Sequence, residues 1–326
     1  MSLTDASSIT YNVVSVIAVT LNSLLVYSMI KIGGKFTVKK LNLFTGFLAI
    51  SSFLWAFCYG SMQIYVSSQK DKKVEGNSLP CDLIGISNNV GGGMTMFFHV
   101  LLALDRYYII TKGRELPNII ALIMAVFWTA MTLIIAMLNL AIRGHASQPM
   151  LLGSWCFTQM YEDAPAGTTT ALIPGYLLMF YMGSNVCIIV IIYTFIVLDV
   201  YRRRSDNKSA ISDSSAQGSA NSPTKTTFFQ HDNKIELKTL KGCIQVSALF
   251  AISYTPVILI FFYALVSQQK YPLELEYFAS ITGVLDGVWT PIVLLRMNAT
   301  LRKKFLETFP VPRFIAFYIL DENNDK

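Results

Sequence analysis

The chain alternates between long apolar stretches and short polar connections. Seven stretches of at least 20 residues are nearly free of Asp, Glu, Lys and Arg, and they run approximately over 11–30, 41–66, 83–104, 116–142, 171–198, 243–268 and 275–295. About 20 apolar residues in a helix cross the ~30 Å hydrocarbon core of a bilayer. Stretches this long and continuous favour helices over the short alternating strands of a membrane barrel. The pattern therefore predicts an all-α membrane protein, a seven-transmembrane-helix bundle.

The composition separates this prediction from a soluble all-helical protein. Of the 326 residues, 53% are hydrophobic and only 14% are charged, whereas roughly a quarter are charged in an ordinary soluble domain. A soluble helical protein would carry charged stripes along its helices, and none of the seven stretches shows one.

Basic residues divide unevenly between the two sides of such a bundle. If the N-terminus is outside, 21 Lys and Arg fall on the inner side and 5 fall on the outer side. Positively charged loops tend to stay in the cytoplasm. We therefore predict a multi-pass protein of the cell membrane with an extracellular N-terminus and a cytoplasmic C-terminus. The net charge of +6 is interpreted as a signal of topology among membrane lipids, and no nucleic-acid partner is expected.

Three regions follow from this topology. Residues 1–9 form an extracellular N-terminus, 10–297 form the seven-helix domain, and 298–326 form an amphipathic helix and a cytoplasmic tail. Within the domain, the Ser-rich connection 201–235 predicts a flexible cytoplasmic loop. Residues 1–9 lack the basic stretch of a secretory signal, so we expect the first span to direct insertion.

Two of the five cysteines lie in predicted outer segments. Cys81 comes just before span three, and Cys156 lies between spans four and five. Because the outer compartment is oxidising, we predict a disulfide between them, with two unpaired thiols as the alternative. The other three cysteines lie within spans, where a free thiol behaves as a small apolar group.

The third span carries the most specific motif. Cys81 precedes Arg106 by 25 residues, which is roughly 37 Å of helix and about one bilayer. Asp105-Arg106-Tyr107 therefore falls at the inner end of the span. A Cys and an Asp-Arg-Tyr at this spacing resemble the third helix of the rhodopsin-like (class A) G protein-coupled receptors.

Other positions resemble the same family. They are Asn22 in span one, Asn42 and Leu48-Ala49 in span two, Trp128 in span four, Tyr193 in span five, Phe250 and Pro256 in span six, Thr290-Pro291 in span seven, and Leu301 to Phe305 in the helix after it. Some motifs are altered: Ser253-Tyr254 replace Cys-Trp, and Thr290 to Leu294 replace Asn-Pro-x-x-Tyr. These changes resemble divergent members such as invertebrate chemoreceptors, and Gly153 to Phe157 faintly resemble prostanoid receptors.

The resemblance implies a ligand-activated receptor that couples to a heterotrimeric G protein, with arrestin and receptor kinases as further partners. A cleft at the cytoplasmic end of the bundle, bordered by Arg106, Tyr193 and Lys238, would receive a helix of the G protein. A seven-span transporter or a non-signalling scaffold is the alternative, although the two halves of the chain are unlike each other. The sequence offers no catalytic triad, metal-ligand spacing or phosphate loop, so we expect neither enzymatic activity nor a cofactor.

The inner ends of spans three and six suggest an activation switch. Glu236 precedes Pro256 by 20 residues, or about 30 Å of helix, which places it at the depth of Arg106. Our hypothesis is that Arg106 pairs with Asp105 and Glu236 at rest and is freed when span six swings outward. Glu236 as an ordinary solvated loop residue is the alternative. Pro256 and Pro291 each predict either a pivot or a static kink.

Asp286 is predicted to be the only carboxylate inside a span, and an intramembrane charge is a functional-site hypothesis. In the family, a span-two Asp typically holds a sodium ion, but this chain has Ser52 at that position. Two explanations stay open: Asp286 holds an ion with Ser52 and Thr95, or it is protonated and hydrogen-bonded. His99 is interpreted as an ordinary core histidine.

The ligand pocket is expected in the outer half of the bundle. Asn88 stands where amine receptors have an Asp, and no Lys lies between Tyr271 and Met297 to attach retinal as in an opsin. The predicted pocket is polar but uncharged, for a small-molecule, lipid or peptide ligand, and its residues are Asn88, Asn89, Gly92, Met96, Trp155, Phe157 and Tyr254. The alternative is plain helix packing, in which Gly91, Gly92 and Gly93 let neighbouring helices approach closely.

Overall fold

The computed structural model describes residues 3–33, 40–68, 79–141, 147–149, 156–158, 173–216, 244–245, 248–264, 266–267 and 271–310. Its helices are α1 (Leu3–Ile32), α2 (Lys40–Ser68), α3 (Leu79–Lys112), α4 (Asn118–Ala141), α5 (Ile173–Ala216), α6 (Ala248–Ala264), α7 (Leu273–Met297) and α8 (Ala299–Thr308). The predicted seven-helix bundle is confirmed. A short antiparallel hairpin of β1 (Ser147–Pro149) and β2 (Cys156–Thr158) is an addition that the sequence analysis did not predict.

The helices expose apolar side chains on the outside of the bundle. On α4, Ile119, Leu122, Ile123, Val126 and Phe127 are each more than half exposed. A soluble protein rarely exposes so continuous an apolar face, whereas lipid tails cover it at no cost. Among the described residues, α1, α4, α5 and α7 are long and apolar enough to cross a membrane, and two shorter apolar helices run over Phe44–Phe57 and Ala248–Ala264.

Helix α3 lies at the centre of the bundle. It packs against α2, α4, α5 and the hairpin, while α1 packs against α2, α7 and α8. Met96, Phe97, Val100 and Leu101 of α3 are at most 2% exposed. The position of α3 explains why its sequence is the most informative in the chain: most of its faces contact other protein elements.

A buried amide joins α1 to α7 at the helix-breaking proline. Pro291 lies inside α7 and has no N–H to donate to the carbonyl of Gly287, four residues earlier. The side-chain amide of Asn22 donates to that carbonyl at 2.7 Å and to the carbonyl of Ala18 at 2.8 Å. Asn22 is fully buried, so it satisfies within the bundle a backbone group that lipid cannot satisfy.

Substituting Asn22→Leu should therefore destabilise the receptor. The side chain keeps a similar size, but the buried carbonyl of Gly287 loses the donor that replaces the missing proline N–H. We expect a loss of about 1–3 kcal/mol, measured as a lower unfolding temperature of the purified chain. Thr20→Val is the control, because the exposed Thr20 hydroxyl donates only to Val16 of its own helix. Equal unfolding temperatures for the two variants would contradict this role.

The end of α3 that is predicted to be cytoplasmic, called its inner end, stops at a glycine. Gly113 has a φ of +64°, a left-handed conformation that ends many helices. The Arg114 N–H then donates to the carbonyl of Tyr108 at 3.3 Å. This bond satisfies one of the last carbonyls of the helix, a few residues after Arg106.

Helix α5 extends further than predicted. The flexible loop was expected to begin at residue 201, but α5 continues to Ala216, so the predicted start of the loop is wrong. No Pro or Gly interrupts the sequence until Gly218. In addition, Arg203 forms an ion pair of 2.9 Å with Asp199, one turn earlier, which supports a helix at this position.

Helix α8 follows α7 after a single residue. The side chain of Asn298 accepts from the N–H of Leu301 at 3.0 Å and caps the new helix. Leu301 and Phe305 are buried, whereas Lys303 is exposed. The helix therefore has one apolar face, and that face packs against the inner part of the bundle.

Candidate functional site

A cavity lies between α2, α3, α5, α6 and α7, and it is called the outer cavity because it lies toward the predicted extracellular side. The space between its walls, part of it open to the surroundings, is about 520 Å³. Its lining is mostly apolar and consists of Trp55, Asn89, Gly92, Gly93, Met96, Leu178, Met182, Tyr254, Val257, Ala279, Ser280, Gly283 and Val284.

Four of the predicted pocket residues meet at this cavity. Asn89, Gly92, Met96 and Tyr254 all line it. The side chain of Asn88, the whole of Trp155 and the side chain of Phe157 lie outside the described residues.

The described lining is less polar than predicted. Apart from the indole of Trp55, its polar groups belong to Asn89, Tyr254 and Ser280, and it contains no charged side chain. The contributions of α2, α5 and α7 to the lining were not predicted from the sequence. The α7 residues were detectable as a stripe, because Ala279, Ser280 and Gly283 recur at helical spacing among larger residues.

Tyr254 connects the outer cavity to a second polar group. Its ring lines the outer cavity and lies 4.8 Å from the ring of Phe250, centroid to centroid. Its hydroxyl donates to Oδ2 of Asp286 at 3.2 Å. Both residues are buried, so this bond joins α6 to α7 inside the bundle.

Asp286 faces a smaller inner cavity with about 240 Å³ of empty space. Its other carboxylate oxygen, Oδ1, accepts from the hydroxyl of Thr290 at 3.2 Å. The cavity is lined by Leu48, His99, Leu249, Asp286, Trp289, Thr290, Val293 and Leu294. In the part of the chain that the structure describes, no three His, Cys, Asp or Glu side chains are grouped so that they could hold a metal ion.

The predicted neighbours of Asp286 are not its hydrogen-bond partners within the described residues. The Thr95 hydroxyl donates to the carbonyl of Gly91 at 2.9 Å and to Ser51 at 3.4 Å. The hydroxyl of Ser52 is fully buried and is not bonded to Asp286. The hydroxyl of Thr95 is directed to Ser51 of α2, whereas the carboxylate of Asp286 is bonded to Tyr254 of α6 and Thr290 of α7.

The expectation that Asp286 is the only carboxylate inside a span is wrong. Glu276, in the first turn of α7, is also fully buried. Glu276 stands at the very edge of the seventh apolar stretch, where a solvated side chain is usual, so its burial was not predicted from the sequence.

Arg106 is buried at the inner end of α3. Its Nη2 lies 3.8 Å from Oδ2 of Asp105, and the two side chains are 7% and 0% exposed. Tyr107 is half-buried and Tyr193 of α5 is buried. Glu236 and Lys238, the other predicted members of the switch, lie outside the described residues. Pro256 and Pro291 lie inside α6 and α7.

A second contact at the inner end was not predicted from sequence. The guanidinium of Arg203 donates to the carbonyl of Thr111 at 2.7 Å while it pairs with Asp199. A cation at the C-terminus of a helix is favourable, because the last carbonyls carry partial negative charge. Arg203 therefore ties the inner extension of α5 to the end of α3.

The two cysteines predicted to form a disulfide lie on adjacent elements. Cys81 is in the first turn of α3, and Cys156 begins β2, which packs against α3. Their side chains lie outside the described residues, so the disulfide stays a prediction.

Comparison with known proteins identifies the family. The family described as "7 transmembrane receptor (rhodopsin family)" matches residues 21–293. The crystal structure of squid rhodopsin superposes with a TM-score of 0.71 at 17% sequence identity, over 96% of this chain and 86% of that chain, which shows a shared fold. No curated protein sequence gives a significant match. Because the family match covers most of the sequence, the chain belongs to the rhodopsin-like, class A family of G protein-coupled receptors, which are multi-pass membrane proteins and not enzymes.

Proposed function

We propose that the protein binds an extracellular ligand in the outer cavity and activates a heterotrimeric G protein by opening its cytoplasmic face. The observation that carries this proposal is the position of Tyr254. One end of this side chain lines the outer cavity, and the other donates to Asp286 beside the inner cavity. A ligand that moves the ring therefore also changes the contact between α6 and α7.

The energy required is small. A ligand shifts a two-state equilibrium by its difference in affinity for the two states, and a few kcal/mol suffice to populate a minor state. A buried hydrogen bond contributes about 0.5–1.5 kcal/mol, and one to a charged group about 1.5–3 kcal/mol. Loss of the Tyr254–Asp286 bond on ligand binding would supply a substantial part of that difference.

The inner end of the bundle supports a resting state that is closed. Arg106 is buried beside Asp105, and in our proposal Glu236 is its second partner. An outward movement of α6, with Pro256 as the pivot, would expose Arg106, Tyr193 and Lys238 to a helix of the G protein. Arrestin and receptor kinases would act on the same open face.

The lining of the outer cavity defines the class of ligand. Its walls are apolar, and the polar side chains of Asn89, Tyr254 and Ser280 are uncharged. Burying an ionic ligand without a countercharge is costly. We therefore propose a neutral, largely apolar small molecule that carries one or two hydrogen-bonding groups.

The proposed topology places this cavity on the extracellular side of the cell membrane. The described basic side chains cluster at the opposite end of the bundle, at the end of α3, along the extension of α5 and on α8. This distribution favours a cytoplasmic location for that end. The proposed Cys81–Cys156 disulfide would then hold the outer hairpin over α3.

Nucleotide exchange on a panel of heterotrimeric G proteins tests the proposal, with the full chain in nanodiscs and a panel of neutral apolar ligands. We expect one ligand to accelerate exchange on at least one G protein. Arg106→Ala should reduce this acceleration by about tenfold or more, equivalent to at least about 1.4 kcal/mol. Gly92→Phe should remove the response to ligand because the added ring fills the cavity.

Lys303→Ala is the control for Arg106→Ala, because it removes an exposed basic side chain on α8. Exchange that is as fast with Arg106→Ala as with the unmodified chain would contradict the coupling role. A ligand response that survives Gly92→Phe would place the ligand outside the outer cavity.

A further inference from the structure

His99 and Asp286 face the same inner cavity from different helices. His99 belongs to α3 and Asp286 to α7, and both line the space of about 240 Å³. They are 4% and 1% exposed. Nothing in the proposed signalling cycle uses His99, although it is a titratable side chain at the centre of the bundle.

The imidazole of His99 has no hydrogen-bond partner in the described part of the protein. Neither Nδ1 nor Nε2 is bonded, and the ring packs 4.7 Å from the ring of Phe250, centroid to centroid. A buried polar group without a partner costs free energy and calls for a bound water or ion. The inner cavity beside it has room for about one water molecule.

The groups that face this site are few. Within the described residues, α3 contributes His99, α6 contributes the hydroxyl of Tyr254, α7 contributes Asp286, Trp289 and Thr290, and the lining from α2 is apolar. The next charged groups on α3 are Asp105 and Arg106, about 9 Å further along the helix, and they pair with each other. Among the described residues, His99 and Asp286 therefore decide the charge of the site.

We propose that the inner cavity is a proton-binding site in which His99 and Asp286 share one proton through bound water. With one proton, the pair is neutral overall, either as imidazole with carboxylic acid or as imidazolium with carboxylate. Removing that proton leaves a buried carboxylate, and adding a second leaves a buried imidazolium, and both are costly inside the bundle. The pair therefore titrates as a unit and links α3 to α7.

A metal cation is a poorer occupant of the same cavity. Hard cations such as sodium or calcium prefer many oxygen ligands, and the described lining offers only those of Asp286 and Thr290. An imidazole nitrogen suits a proton or a water molecule better. The inference does not depend on the proposed signalling function, because it concerns only how the folded chain holds protons.

Unfolding measured against pH tests the proposal, using the full chain in detergent micelles. Between about pH 5 and pH 6, an unfolded chain carries a proton on this histidine and none on this aspartate. The folded pair also holds one proton, so it adds no pH dependence.

In Asp286→Asn, His99 stays neutral when folded, so the unfolded state holds one proton more and stability rises with pH. In His99→Gln, Asp286 stays protonated when folded, so stability falls as pH rises.

The expected result is two opposite slopes in one pH window. Each single variant should change the unfolding equilibrium constant by about tenfold per pH unit relative to the unmodified chain, in opposite directions. Glu274→Gln removes an exposed carboxylate of α7, and as the control it should follow the unmodified chain. A single variant that also follows the unmodified chain would overturn the shared proton.

A second comparison covers the case in which a single variant does not fold. Above about pH 7 the unfolded histidine has lost its proton, while the folded pair keeps one. The unmodified chain should then lose stability with rising pH relative to the apolar double variant His99→Leu/Asp286→Leu, and parallel curves would overturn the proposal.

A salt comparison tests for a cation in the same cavity. If sodium chloride stabilised the unmodified chain but choline chloride did not, and if Asp286→Asn abolished this effect, the cavity would be a cation site and the proposal would be overturned.

Discussion

Gly91→Ala is expected to separate α2 from α3 and to destabilise the receptor. A Cβ atom at Gly91 would lie 2.8 Å from Cβ and 3.0 Å from Cα of Trp55. These atoms are part of, or directly attached to, the backbone of α2, so a rotamer change of the tryptophan cannot relieve the contact. Overpacking of this kind costs about 1–3 kcal/mol. The unfolding temperature of the purified chain measures the loss.

A graded glycine series provides the control. At Gly93 the nearest atoms are side-chain atoms of Thr132 and Tyr181 at 3.3 Å, so Gly93→Ala should cost less than Gly91→Ala. At Gly183, in α5, no atom lies within 4 Å, and Gly183→Ala should be neutral or stabilising by about 0.4–1 kcal/mol. If Gly91→Ala were no less stable than Gly183→Ala, the close approach of α2 to α3 would not limit stability.

The bundle was predictable because the bilayer imposes a simple rule. Each span must be apolar for about 20 residues and must satisfy its own backbone groups, so the helices appear directly in the hydropathy pattern. The pairing of Asn22 with Gly287 is different. Each residue was visible in the sequence, but the bond depends on α1 and α7 being neighbours, which no local pattern of polar residues specifies.

The outer cavity illustrates the same limit. Its contributions from α3 and α6 were predicted because motifs fix the depth of Arg106 and Pro256, and depth then follows from the rise per residue. Trp55 and Met182 have no motif beside them, and their orientation depends on how α2 and α5 are rotated about their axes. Large apolar residues occur on all faces of a lipid-exposed helix, so the sequence does not show which face of the helix points into the bundle.

Connections outside the membrane were the least predictable part. Serine, aspartate and lysine in residues 201–216 are compatible with a solvated loop and with an exposed helix alike. What favours the helix is a set of contacts, namely the pair of Arg203 with Asp199 and its bond to Thr111. The bond to Thr111 uses a backbone carbonyl of another helix. That carbonyl can accept from Arg203 only because α3 ends there and no later residue of α3 donates to it.

Tyr254→Phe is expected to raise ligand-independent activity. The substitution removes only the hydroxyl that donates to Asp286 and keeps the ring against Phe250. It thereby releases α6 from α7 without emptying the space between them. A loss of about 1–2 kcal/mol changes a two-state ratio by roughly five- to thirtyfold. We expect basal nucleotide exchange to rise by up to that factor, with α6 further from α3 when labels on Lys112 and Ala248 report the distance between these two positions.

Tyr181→Phe is the matched control, because it also removes one buried tyrosine hydroxyl. That hydroxyl donates to the carbonyl of Gly93 at 2.7 Å and accepts from Thr132 at 3.2 Å, so it joins α3, α4 and α5 and leaves α6 untouched. Tyr181→Phe should lower the unfolding temperature without raising basal exchange. If both variants raised exchange equally, general loosening of the bundle would explain activation, and the Tyr254–Asp286 bond would have no special role in holding the inner face closed.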